Sequence, residues 1–331
     1  MKFVVKLLIL LLIVAAGVVG AAWYWVNQPL NLNQATVELS IEPGSSPRGV
    51  AQAWVNAGVQ ASPRLLYEWF RWSGKARLIR AGSYEIHGST SALQLLDKMV
   101  RGDEALETVR LIDGWTFRQF RAALAKAPAL KPSSAEMSEA QIMAALGAPQ
   151  LAAEGRFFPD TYAYSRGVSD LTVMRRAFTT MQRKLDEAWG RRAPDLPLQN
   201  ADEALILASI VEKETGQATE RSRVASVFVN RLRIGMPLQT DPTVIYGLGD
   251  GFDGNLRKRD LLADSAYNTY TRSGLPPTPI AMPGLASLQA SLHPDASKAL
   301  YFVARGDGST VFSESLAEHN RAVNKHQRGP Q

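Results

Sequence analysis

The run from Leu7 to Val26 constrains this chain most, because 20 consecutive residues pass without a charge. At about 1.5 Å of rise per residue a helix of that length covers about 30 Å, the depth of a bilayer's hydrocarbon core. Lys2 and Lys6 precede the run, and Trp23, Tyr24 and Trp25 close it, so cations stand at one interface and aromatic rings at the other. The arrangement predicts a single-pass membrane anchor over 7–26, with residues 1–6 in the cytoplasm and the bulk of the chain outside it. A cleaved signal peptide is the alternative, since Gly20, Ala21 and Ala22 are small. The bulky Trp23 and the long apolar core argue against cleavage.

The 331 residues, 46% of them apolar, suffice for an anchor and about two domains. With no cysteine, disulfides and thiolate metal sites are excluded. His87, His293, His319 and His326 are far apart and lack HExxH spacing, so neither a metal nor another cofactor is indicated. A net charge of +6 fits an anionic partner or a membrane surface, but the basic residues are scattered, and nucleic acid is not expected as a partner. Gly249 to Gly254 satisfies GxGxxG, yet Asp250 and Asp253 stand where a pyrophosphate would need bare amides, which makes it a surface turn. No lysine follows a serine by three positions and no GxSxG occurs, so serine acyl-transfer chemistry is not supported.

The pattern predicts an α+β chain. After a polar tether at 27–36, Val37 to Ile41 alternates as a strand ended by Pro43-Gly44. Helices are expected next at Val50 to Ala57 and, capped by Ser62, at Pro63 to Trp72. A strand at Gly82 to Ile86 and a helix at Ser91 to Val100 complete a small module over 37–106. Its strand–helix–helix–strand order resembles a LysM-like module, a kind that binds glycan chains containing N-acetylglucosamine; the alternative is that it only positions the catalytic domain. That domain, a mixed α/β one, is expected over 107–331. It would hold a strand at Thr108 to Ile112, a helix at Phe117 to Leu124, and a loop at Pro128 to Ser134 before a helix capped by Ser133 and Glu136. A long helix at Leu171 to Trp189 comes next. Gly306-Asp307-Gly308, with Arg305 before it, reads as the turn of a hairpin between Leu300 to Val303 and Thr310 to Phe312.

One carboxylate stands out in that domain. In the segment from Leu205 to Thr215, at roughly 100° per residue, Ile206, Leu207, Ile210 and Val211 share one helical side and Glu214 falls in its middle. Glu212 projects to the opposite side with Ala208, where water can reach it. A carboxyl held against apolar walls has its charged form disfavoured and stays protonated near neutrality, which a general acid requires. Asn200 and Glu203 resemble a capping box that starts the helix. Glu214 can equally lie at the helix end before Gly216 and simply reach water.

The blocks ASIVEKET (208–215), VFVNRLRIGMPLQTDPTVIYGLG (227–249), AYNTY (266–270) and GLPPTPIAMPG (274–284) resemble the endolytic murein transglycosylase family. AGSYEIH (81–87) and EGRFFPDTYAY (154–164) are similar to further segments of it. The resemblance implies that Glu214, the second glutamate of EKE, is the catalytic acid. It also implies an enzyme that cuts peptidoglycan glycan strands between N-acetylmuramic acid and N-acetylglucosamine and leaves 1,6-anhydro ends, with cell-wall synthases as partners. The domain would then lie on the periplasmic side of a bacterial inner membrane. In such an enzyme Asn268 would hold the sugar's acetamido group, Tyr267 would offer a stacking face and a hydroxyl, and Gln239, Thr240 and Asp241 would form a polar loop. Asn230 and Arg231 would orient Glu214 or satisfy loop carbonyls, and Tyr162 would stand in a cleft wall or in the core. Each of these residues also has an ordinary structural reading, since Asn and Asp commonly make turns.

Two other functions remain open. One is a muramidase with Glu214 as acid and Asp241 as base or nucleophile; the other is a wall-binding scaffold that recruits synthases without catalysis.

Overall fold

The computed structural model describes residues 2–306 and 309–327. The chain forms α1 (Lys2–Asn27), β1 (Thr36–Ile41), α2 (Pro47–Ala57), α3 (Pro63–Trp72), β2 (Gly82–His87), α4 (Ala92–Arg101) and β3 (Leu106–Arg110). It continues with α5 (Phe117–Lys126), α6 (Glu139–Ala145), β4 (Thr161–Ser165), α7 (Asp170–Gly190), α8 (Ala201–Glu214) and α9 (Arg221–Arg233). It ends with α10 (Asp241–Leu248), α11 (Lys258–Leu262), α12 (Leu285–Leu292), β5 (Tyr301–Ala304), β6 (Thr310–Ser313) and α13 (Leu316–His326). By internal contacts these elements fall into two compact units. The first runs to Thr108 and takes in Pro128–Lys131 and Ala163–Val168; the second holds Val109–Ala127, Pro132–Tyr162 and the described residues from Ser169 on.

In the first unit, β1 and β2 pair antiparallel, Leu39 opposite Tyr84 and Val37 opposite Ile86. Alternation sends Val37 and Ile41 into the core and Glu38 and Ser40 out. Ser46 caps α2 by accepting from the Gly49 N–H at 3.1 Å, and Val50, Ala51 and Trp54 form its buried stripe. A reciprocal Ser91–Gln94 box starts α4, whose Leu95, Leu96 and Met99 meet that stripe. Ser62 precedes Pro63 at the head of α3 as expected, although its side chain makes no cap bond.

α1 is long and apolar enough to cross a membrane, and its apolar stretch is uncovered by the rest of the chain. Its last turn behaves differently. Trp25 packs against the first unit's core, and Val26, the last residue of the apolar run, is only 3% exposed. The segment 27–36, expected as a polar tether, is also packed. Leu30 is buried and donates its N–H to the Thr90 carbonyl at 2.9 Å, and Leu32 lies against the core. Apolar side chains at 30 and 32 outweigh the polar ones around them because the core offers a surface to bury.

The second unit is arranged around α8, whose residues Ala204 to Val211 are all buried; α7, α9, α10 and α12 pack against it. A helix that is apolar all round must be covered all round. Phe117 of α5 stacks with Phe157 at 5.1 Å, Phe120 meets it tilted at 4.9 Å, and Phe157 meets Phe178 of α7 at 6.0 Å. The helix expected after Ser133 starts later, capped by Ser138 and Gln141. Ser134 is instead buried, its N–H and hydroxyl both donating to Asp170 at the start of α7. β5 and β6 pair as an antiparallel hairpin, as expected; part of the turn assigned to 306–308 lies outside the described residues.

Docking of the α1 end yields a prediction. A soluble chain beginning at Trp25 keeps the first unit's stability, whereas one beginning at Asn33 loses the burial of Trp25, Val26, Leu30 and Leu32. At about 1.5–3 kcal/mol for each fully buried side chain, Val26 and Leu30 alone carry about 3–6 kcal/mol of the loss. Thermal melting of the two chains measures it, and equal melting temperatures would rule out the docking.

Candidate active site

α8 opens where the Asn200 side chain accepts from the Glu203 N–H at 2.9 Å, while the Glu203 carboxylate accepts from the Gln199 N–H at 2.7 Å. Fourteen residues later it ends on Glu214, and Thr215 is already extended. Glu214 is therefore the last helical residue, partly buried, at the edge of the apolar packing. Its Oε1 accepts a hydrogen bond from the Thr240 hydroxyl. Burial pushes its carboxyl above the ordinary range and the Asp241 charge adds to the rise, while the Thr240 bond and the Arg231 charge oppose it.

Thr240 is held by a threonine cluster. Gln239 adopts a left-handed backbone (φ 48°) and donates its N–H to the Thr269 carbonyl at 3.0 Å. The Thr240 N–H reaches the Thr269 hydroxyl at 3.1 Å, and the Thr243 hydroxyl donates to the Thr240 carbonyl at 2.8 Å, itself 2.9 Å from the Thr269 hydroxyl. Asp241 comes next at the first position of α10, exposed, accepting from the Tyr270 hydroxyl at 2.6 Å. Tyr270's phenol is raised, first by burial and then by that bond. Glu214, Thr240, Asp241 and Tyr270 thus form one polar group, in which Tyr270 was not expected from the sequence. Its place as the last residue of AYNTY, beside Tyr267 and Asn268, was the available signal.

The other candidates hold the surrounding loops. Arg231 donates to the carbonyls of Leu300 (2.7 Å) and Leu238 (2.8 Å), and Asn230 to those of Ser297 (2.7 Å) and Ala299 (3.0 Å). Both satisfy loop carbonyls, and Arg231 reaches Glu214 only through its charge. Gln239 is exposed, its side-chain oxygen 3.5 Å from Arg231. Asn268 is 1% exposed; its amide donates to the carbonyls of Leu261 (3.1 Å) and Ala263 (2.7 Å), and its oxygen accepts from the Tyr270 N–H at 2.9 Å. Tyr267 meets the Thr278 hydroxyl at 2.8 Å and sets its ring edge-on to Tyr246 at 4.9 Å. Tyr162 is buried, donates to the Phe158 carbonyl at 2.8 Å and lies under the Arg176 guanidinium.

Glu212 differs from expectation. It is largely buried, because the face opposite Glu214 is covered by α12 and not by water. Its Oε2 accepts from the Gly284 N–H (3.0 Å) and the Ser287 hydroxyl (2.6 Å), at the head of α12, where the helix dipole favours a negative charge. Asp113 nearby is raised, mainly by burial and then by the Glu212 charge. Lys213 donates to the Gly114 carbonyl at 3.3 Å. A further carboxylate not expected from the sequence, its place at the head of EGRFFPDTYAY being the available signal, is Glu154, 7% exposed, which accepts from the Phe117 N–H (3.0 Å) and the Tyr246 hydroxyl (3.1 Å). Burial pushes its carboxyl up to about 7 against those hydrogen bonds. Gly155 beside it has φ 79°, and a side chain there would collide with Pro279. Among the described residues no group of three or more His, Cys, Asp or Glu side chains could hold a metal ion.

Residues 39–325 match the family described as the YceG-like family. The chain is similar to the endolytic murein transglycosylase of Bacillus subtilis (strain 168), with 30% identity over 89% of this chain and 86% of that protein. A protein of the same name from Streptococcus pneumoniae serotype 2 (strain D39 / NCTC 7466) is 25% identical, over 98% of this chain and 65% of its own length. The fold is similar to the crystal structure of a yceG-like protein from Listeria monocytogenes, with a TM-score of 0.55 and 28% identity over 86% of this chain and 98% of that one.

The burial of Glu212 makes it testable by itself. Glu212→Ala leaves the Gly284 N–H and the Ser287 hydroxyl without their acceptor, at about 1–3 kcal/mol for each buried group. Chemical denaturation should show a loss of about 2–6 kcal/mol. A variant as stable as the parent would mean that water or another group takes over both bonds.

Proposed function

The chain belongs to the YceG-like family, and from that premise we infer that it is a lytic transglycosylase that cleaves the glycan strands of peptidoglycan, with Glu214 as its acid. The observation that carries the assignment is the meeting of a carboxyl pushed upward by burial with a single hydroxyl donor, Thr240, at one of its two oxygens. Thr240 occupies Oε1, which leaves Oε2 to carry the transferable proton.

In this reading Glu214 gives its proton to the glycosidic oxygen between N-acetylmuramic acid and N-acetylglucosamine as that bond breaks, and an oxocarbenium-like centre develops at the muramic C1. The C6 hydroxyl of the same sugar attacks C1, and the Glu214 carboxylate takes the hydroxyl proton back. The products are a 1,6-anhydro end and a free 4-hydroxyl, with no water consumed. One acid suffices because the nucleophile is tethered to the reacting centre at high effective concentration. Tyr270 and Asp241 border the same group and are proposed to meet the sugar, with Gln239 at the exposed rim. Arg231 and Asn268 support the site by holding the loops that carry Thr240 and Tyr270, and Tyr267 does so by packing on α10; Asn230 ties α9 to the loop at 297–299, and Tyr162 is a core residue against α7. The muramidase alternative draws on Asp241, which is exposed beside Glu214.

We also assign to the first unit the part of a LysM-like, glycan-holding module. Its β1-α2-α3-β2 order supports the likeness. So does an open cavity of about 490 Å³ bordered by Arg48, Gln52, Arg64 and Tyr67, side chains suited to sugar hydroxyls and to a stacked ring. α1 is proposed to cross the cytoplasmic membrane with Lys2 and Lys6 inside, which sets the enzyme beside the membrane's cell-wall synthases as partners.

Two variants and one product measurement test the chemistry. Glu214→Gln should lower cleavage by about 10²–10⁴-fold at unchanged melting temperature. In Thr240→Val the anion loses its hydrogen bond, so the Glu214 pKa rises further. Because the protonated form is the active acid, the falling limb of the pH–rate profile should move to higher pH, and a limb that stays or moves down counts against the pairing. Mass spectrometry of glycan fragments separates the chemistries: the transglycosylase leaves ends lighter by one water than a hydrolase does, and hydrated ends would transfer the reaction to the Asp241 muramidase.

A further inference from the structure

Glu154 is a buried carboxylate that the chemistry of Glu214 does not use. It lies between α6 and β4, and its oxygens are 3.0 and 3.2 Å from the Phe117 N–H at the first position of α5. The Tyr246 hydroxyl donates to its Oε2 at 3.1 Å. With both oxygens engaged and the residue 7% exposed, Glu154 does not meet a sugar. What it meets is the far end of α10.

Tyr246 stands in the last turn of α10, and Thr240 precedes the first at the N-cap position, its hydroxyl turned to Glu214. Eight residues at about 1.5 Å of rise make a stiff rod of about 12 Å. At its far end the Tyr246 ring lies edge-on to Tyr267, and Gly247 fits tightly against the Tyr267 side chain. At its near end Thr243 and Thr269 hold the Thr240 backbone. A tilt of this rod moves the Thr240 hydroxyl relative to Glu214. The bond from Tyr246 to Glu154 is a part-buried polar restraint at the far end, and a hydrogen bond fixes distance and angle more narrowly than ring packing does.

We propose that Glu154 is a positioning residue for the reaction: anchored on the Phe117 N–H, it holds the Tyr246 hydroxyl and so sets the orientation of α10 that keeps Thr240 on Glu214. The proposal rests on Glu214 being the acid.

The test compares the full chain with Glu154→Gln, Tyr246→Phe, the double variant and Glu214→Gln, measuring kcat, KM, melting temperature and pH–rate profile on peptidoglycan glycan strands. Tyr246→Phe keeps the packed ring and removes one hydroxyl, so it remains informative even where Glu154→Gln disturbs folding. Each single variant is expected to lower kcat about tenfold, since small misplacements of reacting groups have effects of that size or larger. KM should stay within about twofold. The double variant should be no slower than the worse single one, because both cut one link. Tyr246→Phe should also move the falling pH limb upward, as Thr240→Val does, which a merely structural residue would not. Parental kcat in Tyr246→Phe, losses that multiply in the double variant, or losses that track melting temperature would each overturn the proposal. An active Glu214→Gln protein is a different failure: it removes the acid assignment, and with it the route proposed for Glu154.

Discussion

The second unit depends on the burial of α8 on every side. From Ala204 to Val211 no residue of this helix is left to water, so each polar group on it must find a partner in the neighbouring segments. Ser209 accepts from the Ile280 N–H at 3.0 Å, Glu212 takes the head of α12, Lys213 reaches the Gly114 carbonyl and Glu214 receives the Thr240 hydroxyl. One helix thereby fixes three separate stretches of chain, at 114, 240 and 280–287, and three of those links lie within its last three residues. Glu214 inherits its character from this position. It sits deep enough to lose solvation, yet at the helix end where the cover stops.

The loop groups around Glu214 are held mainly by backbone pairing and only secondarily by charge. Thr269 receives the N–H groups of both Gln239 and Thr240, one at its carbonyl and one at its hydroxyl. The left-handed backbone at Gln239, costly for a residue with a side chain, is stabilised by those bonds. Asn268 then ties its own turn to α11, which places Tyr270 against Asp241. A hydroxyl held in this way is preorganised, and preorganised donors are what lend a buried carboxyl a defined protonation state.

In the first unit the end of the long apolar helix is part of the core. Trp25, Val26, Leu30 and Leu32 leave no free hinge between α1 and the paired strands β1 and β2. The glycan-holding module proposed for this unit, fixed in this way to the proposed anchor, would sample substrate at a limited distance from the bilayer.

Local signals were sufficient for much of this protein. The uncharged run, the Asn200 cap and the alternation of Val37 to Ile41 identify their elements because capping and periodicity act over a few residues. Glu214 was legible too, since helical spacing alone puts it in line with Ile206, Ile210 and Val211. Glu212 was misjudged because a helical wheel assumes one covered face, whereas α12, some 70 residues later in the chain, covers the other. Glu154, Tyr246 and Tyr270 were invisible as a set for the same reason. Residue order therefore settles where a capped helix such as α8 starts, which side chains leave it in which direction, and that a helix apolar enough to cross a membrane precedes a mixed α/β body. Which distant amide or hydroxyl each polar side chain meets is settled in three dimensions, because those partners are chosen by long-range packing and not by the spacing of residues along the chain.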